Sequence, residues 1–233
     1  MKERPILFSG AMVRALLDGS KTQTRRVVTP AANQQWLQPE TLNQSPRAKP
    51  CLIRGEQWAQ FAHPLAGQTI NGIKHDEWSP LTCIRSPYGQ PGDRLWVREN
   101  FYRVDSKGET EVLGRMVPCD KQTISFVADN LETPPGRQYP SIHMPRWASR
   151  INLEITGVRV ERLQDISDQD ARAEGIDACD GISTTEAILD LAKRMGAPKE
   201  NVLRYATLWE SINGAGSWEA NPWVWAIEFR RIA

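Results

Sequence analysis

Lys21 and Thr24 stand three residues apart in the stretch Gly19-Ser20-Lys21-Thr22-Gln23-Thr24-Arg25-Arg26, and two arginines close it. A lysine works as a base when its pKa falls from about 10.4 toward 7–8. A threonine hydroxyl acts as a nucleophile once a base accepts its proton, or as a hydrogen-bond donor. Arg25 and Arg26 suit a phosphate or a carboxylate. These types at this spacing make a compact candidate site. The same residues also read as a polar turn between a helix and a strand.

Local signals supply the elements that must hold the site. Pro5 to Phe8 reads as a short strand, and Ser9 as the N-cap of a helix over Gly10 to Asp18. Val13, Leu16 and Leu17 share one face of that helix, and Gly19 ends it because glycine accepts the left-handed conformation. The candidate site therefore lies on the turn out of the helix and the start of the next strand. Tyr88 to Asp93 is a turn signal, followed by a strand from Leu95 through Phe101-Tyr102 that contains Glu99. Thr123 to Ala128 reads as a further strand. Ile151, Leu153 and Ile155 alternate with polar residues, and Val158 and Val160 resume the pattern after a turn at Gly157. Ser167 reads as the N-cap of a short helix running to Glu174 and stopped by Gly175, with Asp168 and Asp170 at its positive end. Two amphipathic helices are expected over 184–195 and 201–212. Pro222 to Ile232 reads as a closing strand with Trp223, Trp225, Ile227 and Phe229 on one face. Residues 29–90 are rich in Pro, Gln, Asn and Gly with weak periodicity. They read as an insertion of short strands and loops anchored by Trp36, Trp58 and Trp78.

Composition bounds the function. The chain has 233 residues, enough for one sizeable domain, with 29 basic and 28 acidic residues. That balance argues against coating nucleic acid through bulk charge. Charge is nonetheless uneven: residues 1–30 hold six basic and two acidic residues, 141–163 four arginines and two glutamates, and 167–190 seven acidic residues and one arginine. A local basic face is compatible with this distribution. Nine tryptophans suit a core and also a base-stacking pocket. None of Cys51, Cys83, Cys119 and Cys179 forms a C-x-x-C pair, so no metal and no cofactor is expected. Zinc on Cys51, His75 and Cys83 is conceivable, but reduced thiols are the simpler account. The first residues lack the apolar run of a signal peptide, and no stretch is apolar enough to span a membrane. The expected location is the cytoplasm, with no membrane partner. There is no phosphate-binding glycine loop, nucleotide fingerprint or Ser-His-Asp arrangement. His143 reads as packing at a strand entry rather than as a catalyst.

Leu17 to Arg25 resembles the G-x-K-x-x-T-x-R signature of the ASCH superfamily. Pro91-Gly92-Asp93-Arg94-Leu95-Trp96-Val97-Arg98 resembles that family's G-D-x-L-x-V turn and strand. Ile151 to Ile176 resembles its strand pair and short acidic helix, and Trp223 to Ile232 its closing strand. Together these cover about half the chain, which is most similar to the larger prophage-encoded members. Ser141 to Arg150 resembles a segment typical of them. The resemblance implies an α+β fold built on a PUA-like β-barrel with flanking helices, and a modified nucleoside or RNA as ligand. In such a barrel Glu99 faces either solvent or the mouth. In the branch with known chemistry, amidohydrolases acting on N(4)-acetylcytidine, a lysine, a threonine and a glutamate form the catalytic set. Carried over, these fall on Lys21, Thr24 and Glu174, with Asp170 one turn earlier in reserve. Glu174 then suits orienting Lys21 or moving protons better than serving as its tight ion-pair partner.

Two functions follow from the resemblance. One is a hydrolase of N-acylated cytidine-type nucleosides, with Arg25 or Arg26 on the sugar or phosphate. The other is a nucleic-acid-binding module or ribonuclease with a basic groove running from Arg25 and Arg26 to Arg146 and Arg150. A scaffold protein that keeps the fold without the chemistry is a third.

Overall fold

The computed structural model describes residues 1–29, 45, 47–54, 56–62, 69–70, 73–74, 78–104, 109–112, 115–118, 123–129, 137–178, 190, 192–196 and 199–232. Its strands are β1 (Glu3–Leu7), β2 (Gln23–Val27), β3 (Ala48–Ile53), β4 (Glu56–Ala62), β5 (Thr69–Ile70), β6 (Ile73–Lys74), β7 (Trp78–Arg85), β8 (Arg94–Arg98) and β9 (Phe101–Val104). They continue with β10 (Glu109–Val112), β11 (Arg115–Pro118), β12 (Thr123–Phe126), β13 (Arg137–Tyr139), β14 (Asn152–Arg162) and β15 (Trp223–Ile232). The helices are α1 (Gly10–Asp18), α2 (Asp168–Ala173) and α3 (Glu200–Asn213).

The main sheet has the order β1-β8-β14-β15-β2. β1 and β8 run parallel, and the other pairs are antiparallel. The fold is thus α+β and mostly sheet. Among the described residues no ladder joins β1 to β2, so the five strands form an open order rather than a closed barrel. The two edges approach where Arg26 Nη2 donates to the Leu7 carbonyl at 2.7 Å.

β14 is a single 11-residue strand, which corrects the expected turn at Gly157. Its register against β15 shifts between Ile155 and Gly157, so Gly157 marks a bulge. The expected alternation holds on both central strands. Leu153 and Ile155 of β14 and Trp225, Ile227 and Phe229 of β15 enter one core with Leu95, Val97, Val13 and Leu16. Val224, next to Trp225, enters a second core with Tyr205, Ala206, Trp209 and Trp218. From Trp223 to Ile227 β15 is buried on both faces because a core lies on each side, whereas Glu228, Arg230 and Arg231 are exposed.

Caps follow the sequence with one difference. Ser167 accepts from the Asp170 N–H at 3.1 Å, whereas Ser9 has cap dihedrals but no side-chain cap bond. Gly19 takes the left-handed conformation (φ 85°) at the end of α1. Within 29–90, β3, β4 and β7 form a three-stranded sheet. Phe61 docks it on the main core, its ring 5.7 Å from that of Trp223. Trp58 is only half-buried; Trp36 and the Trp78 side chain lie outside the described residues, as does most of the expected 184–195 helix. Glu99 lies just past β8 and is buried, facing Arg150, which corrects the expected solvent-facing position. Cys51 and Cys83 are free thiols whose pKa values burial raises, and His75 lies outside the described residues. Among the described residues no helix is long and apolar enough to cross a membrane.

Asp93 ties the chain start to β8. It accepts from the Lys2 N–H at 2.7 Å and from Arg4 Nη1 at 3.0 Å. Burial alone would raise its pKa, but these donors outweigh burial and hold it below the ordinary value. Its stabilising share is therefore complete above the unfolded value of about 3.9 and disappears as pH falls through the lower folded value. Asp93→Asn is expected to cost about 1–3 kcal/mol at neutral pH and to flatten the acid limb below pH ~4. Urea denaturation across pH checks this; an acid limb as steep as the parent's overturns the role.

Candidate functional site

The stretch from Ser20 to Thr22 is sewn in place by its backbone. Lys21 N–H donates to the Ala15 carbonyl at 3.0 Å, and Thr22 N–H to the Ala173 carbonyl at 2.9 Å. Phe229 N–H donates to the Thr22 carbonyl at 2.9 Å, and Lys21 forms an isolated antiparallel bridge with Glu174. The ends of α1 and α2 thus meet at this stretch, beside β15. Gly175 makes the approach feasible. Its φ is +79°, and a Cβ would meet Ala15 Cβ at 2.8 Å and Lys21 Cβ at 2.9 Å.

This meeting brings together Lys21 and Glu174, 153 residues apart in sequence. Lys21 Nζ donates to Glu174 Oε2 at 3.0 Å, to the Glu174 carbonyl at 2.8 Å and to the Gln23 carbonyl at 2.9 Å. Three acceptors match the three hydrogens of an ammonium, so this geometry is that of charged lysine. Glu174 is its ion-pair partner and orients the ammonium. The pair has almost no solvent contact, with side chains 1% and 4% exposed. An ammonium removed from water requires such a partner.

β2 pairs with β15, with Thr24 opposite Ile227 and Arg25 opposite Ala226. Alternation sends Arg25 and Arg26 to opposite sides. Arg25 donates to Glu174 Oε1 at 3.1 Å and to Glu161 Oε1 at 2.9 and 2.5 Å, and its Nη2 lies 3.4 Å from Asp170 Oδ2. Burial lowers its pKa, but Glu174 and Glu161 outweigh burial and raise it. Arg25 is therefore a structural cation with its donors engaged. Asp170 serves the arginines, accepting from Arg159 Nη2 at 3.0 Å. Burial opposes its ionisation, but Gln23, Arg159 and further donors hold its pKa below the ordinary value. Arg159 also pairs with Glu161 and Glu228. Arg26 differs: it donates to the Leu7 carbonyl, and its guanidinium sits 5.4 Å over the Phe8 ring.

Lys21, Thr24, Arg25, Arg26 and Glu174 line one cavity of about 370 Å³. Leu7, Phe8, Ser9 and Met12 supply one wall, and Tyr205, Leu208, Trp209 and Ile212 of α3 another. Thr24 is buried yet its hydroxyl makes no hydrogen bond with a described residue and is not sealed from the cavity. Tyr205 stays a neutral phenol: burial and then Glu174 push its pKa well above 10. Arg146 and Arg150 do not line this cavity. Arg150 holds both oxygens of Glu99 at 2.9 Å and contacts Asp129, and Arg146 holds Glu3 at 3.0 Å and Asn152 at 2.9 Å. Their charges are consumed by carboxylates, so they do not extend a basic groove from Arg26.

Sequence reasoning missed Glu161, Arg159, Phe8 and the α3 wall. The wall had a signal, since Tyr205, Leu208, Trp209 and Ile212 recur at helical spacing. Glu161 had none: it reads as the polar half of an alternating strand. No cluster of three or more His, Cys, Asp or Glu side chains that could hold a metal occurs among the described residues.

Glu174→Gln leaves two buried cations short of an anion and is expected to cost about 3–5 kcal/mol. Lys21→Met combined with Glu174→Gln should be less damaging than the sum of the single changes by about 1–3 kcal/mol. Chemical denaturation of the four proteins measures this coupling, and strict additivity contradicts the direct pair.

No family model, no curated protein and no solved structure matches this chain.

Proposed function

We propose that the chain is a PUA-like, ASCH-type amidohydrolase acting on N-acylated cytidine-type nucleosides, with Thr24 as nucleophile. The observation that carries this reading is the unpartnered Thr24 hydroxyl in a cavity that also holds a buried Lys21–Glu174 pair. A volume of about 370 Å³ suits a small ligand. Phe8, Tyr205 and Trp209 offer ring surfaces for a base, and Arg26 offers donors. Arg25 is excluded from ligand contact by its carboxylates, which narrows the sugar or acyl contact to Arg26.

The chemistry has a definite proton path. Lys21 first passes a proton to Glu174 Oε2 across their 3.0 Å hydrogen bond. Neutral Lys21 then accepts the Thr24 proton as Oγ1 attacks the acyl carbon. Arg26 stabilises the oxyanion. The C–N bond breaks, and the leaving cytosine amine takes a proton from the pair. Water, deprotonated by Lys21, attacks the acyl-threonine, Lys21 returns that proton to the departing Thr24 Oγ1, acetic acid leaves, and Glu174 gives its proton back to Lys21. Arg25 on Glu174 Oε1 opposes the first proton shift, so the neutral pair is a minor state and activation depends on substrate excluding water.

Purified protein should hydrolyse N(4)-acetylcytidine to cytidine and acetate, followed by the loss of substrate absorbance. Thr24→Ala should lower turnover by at least about 10³-fold, with Thr24→Ser keeping part of it. Since the Thr24 hydroxyl makes no hydrogen bond with a described residue, both variants should remain folded. Arg26→Ala should lower kcat more than it raises KM. Absence of turnover by folded parent protein overturns this reading.

A further inference from the structure

A second cleft of about 660 Å³ adjoins the first cavity. The two share a wall. Asn100 and Ser141 line the first, and their chain neighbours Phe101 and Pro140 line the second. The Ser141 N–H donates to Asn100 Oδ1 at 2.8 Å, pinning the ridge between them.

The second cleft has a different chemistry from the first. Its lining includes Arg103, Arg137 and His143 but no Asp or Glu among the described residues. Arg137 makes no ion pair with a described residue and lies 5.6 Å over the Tyr139 ring. Tyr139 itself stacks on Phe101, with centroids 5.5 Å apart and planes 17° from parallel. Trp147 stands at the lip with 61% of its surface exposed, and Ile142 beside it with 58%. That exposure belongs to a pinned segment. Met144 is fully buried and its carbonyl accepts from Arg98 Nε at 3.0 Å, while Ser149 Oγ donates to the Val97 carbonyl at 2.8 Å. An indole held in water on a fixed backbone, beside the Arg137 guanidinium that makes no ion pair with a described residue, has the make-up of a base-stacking platform.

We propose that this cleft binds a nucleotide of a single-stranded nucleic acid. Its base stacks on Trp147, its phosphate faces Arg137 and His143, and the strand crosses the Asn100–Ser141 ridge into the first cavity. The identity of the base in the first cavity rests on the nucleoside reading above; binding in the second cleft does not. The proposal makes an acylated cytidine within a strand, rather than the free nucleoside, the ligand that fills both cavities.

Fluorescence anisotropy with a labelled hexacytidylate RNA, its DNA counterpart and a base-free polyanion, dextran sulfate, as competitor tests this. Trp147→Ala should weaken binding of at least one hexamer by about tenfold or more and leave hydrolysis of free N(4)-acetylcytidine unchanged. Arg137→Ala should lower the slope of log affinity against log salt by about 0.7. Dextran sulfate should compete poorly. Parent-like binding by Trp147→Ala, or dextran sulfate competing as well as the hexamer, overturns the proposal. Hexamer binding sensitive to Trp147 in a protein that does not hydrolyse acetylcytidine upholds the cleft and overturns the amidohydrolase alone. Hydrolysis without hexamer binding does the reverse.

Discussion

An ammonium group with 1% of its side chain exposed must have an anion within reach, and here that anion comes from 153 residues further along the chain. Much else follows from this contact. It holds the end of α1 against the end of α2, which requires Gly175 at their crossing. It also places Glu174 where Arg25 can share it, so one carboxylate serves two cations through its two oxygens. Glu161, Asp170 and Arg159 complete the compensation, each facing an opposite charge. A buried cluster of this kind rigidifies the site more surely than it stabilises the fold, because desolvation opposes the Coulombic gain.

The cluster lies on the seam between the two hydrophobic cores. β15 carries that seam, with Trp225 and Ile227 in one core and Val224 in the other. β2, its edge neighbour, is placed by this pairing so that its two arginines have different fates. Arg25 enters the carboxylate cluster beneath Tyr205, and Arg26 emerges at the cavity beside Phe8. Adjacent residues of one chemical type thereby acquire different partners, carboxylates for Arg25 and a backbone carbonyl with a ring for Arg26.

The same distinction separates the arginine-rich regions at large. Arg146 and Arg150 lie near Arg26 in any count of basic charge, yet Glu3, Glu99 and Asp129 neutralise them. Arg150 also covers the Phe126 ring at 3.9 Å, so it works as a clamp between segments. Arg137 lies over an aromatic ring without a carboxylate partner among the described residues. Charge that recognises a ligand is distinguished from charge that holds a fold by what already touches it.

Read alone, the sequence determined the features that depend on neighbours in the chain. Apolar spacing and Gly19 defined α1, Ser167 and Gly175 bounded α2, and alternation identified β14 and the inward face of β15. A resemblance by spacing also picked Lys21, Thr24 and Glu174, which line one cavity. Tertiary structure alone decided the parallel pairing of β1 with β8, the passage of β14 straight through Gly157, the burial of Glu99 and the partners of every arginine. The reason is physical. Caps and periodicity act over one or two turns of chain, and the local sequence therefore encodes them. An ion's role depends on its desolvation and on the nearest opposite charge. Both are set by which distant segments the cores bring together.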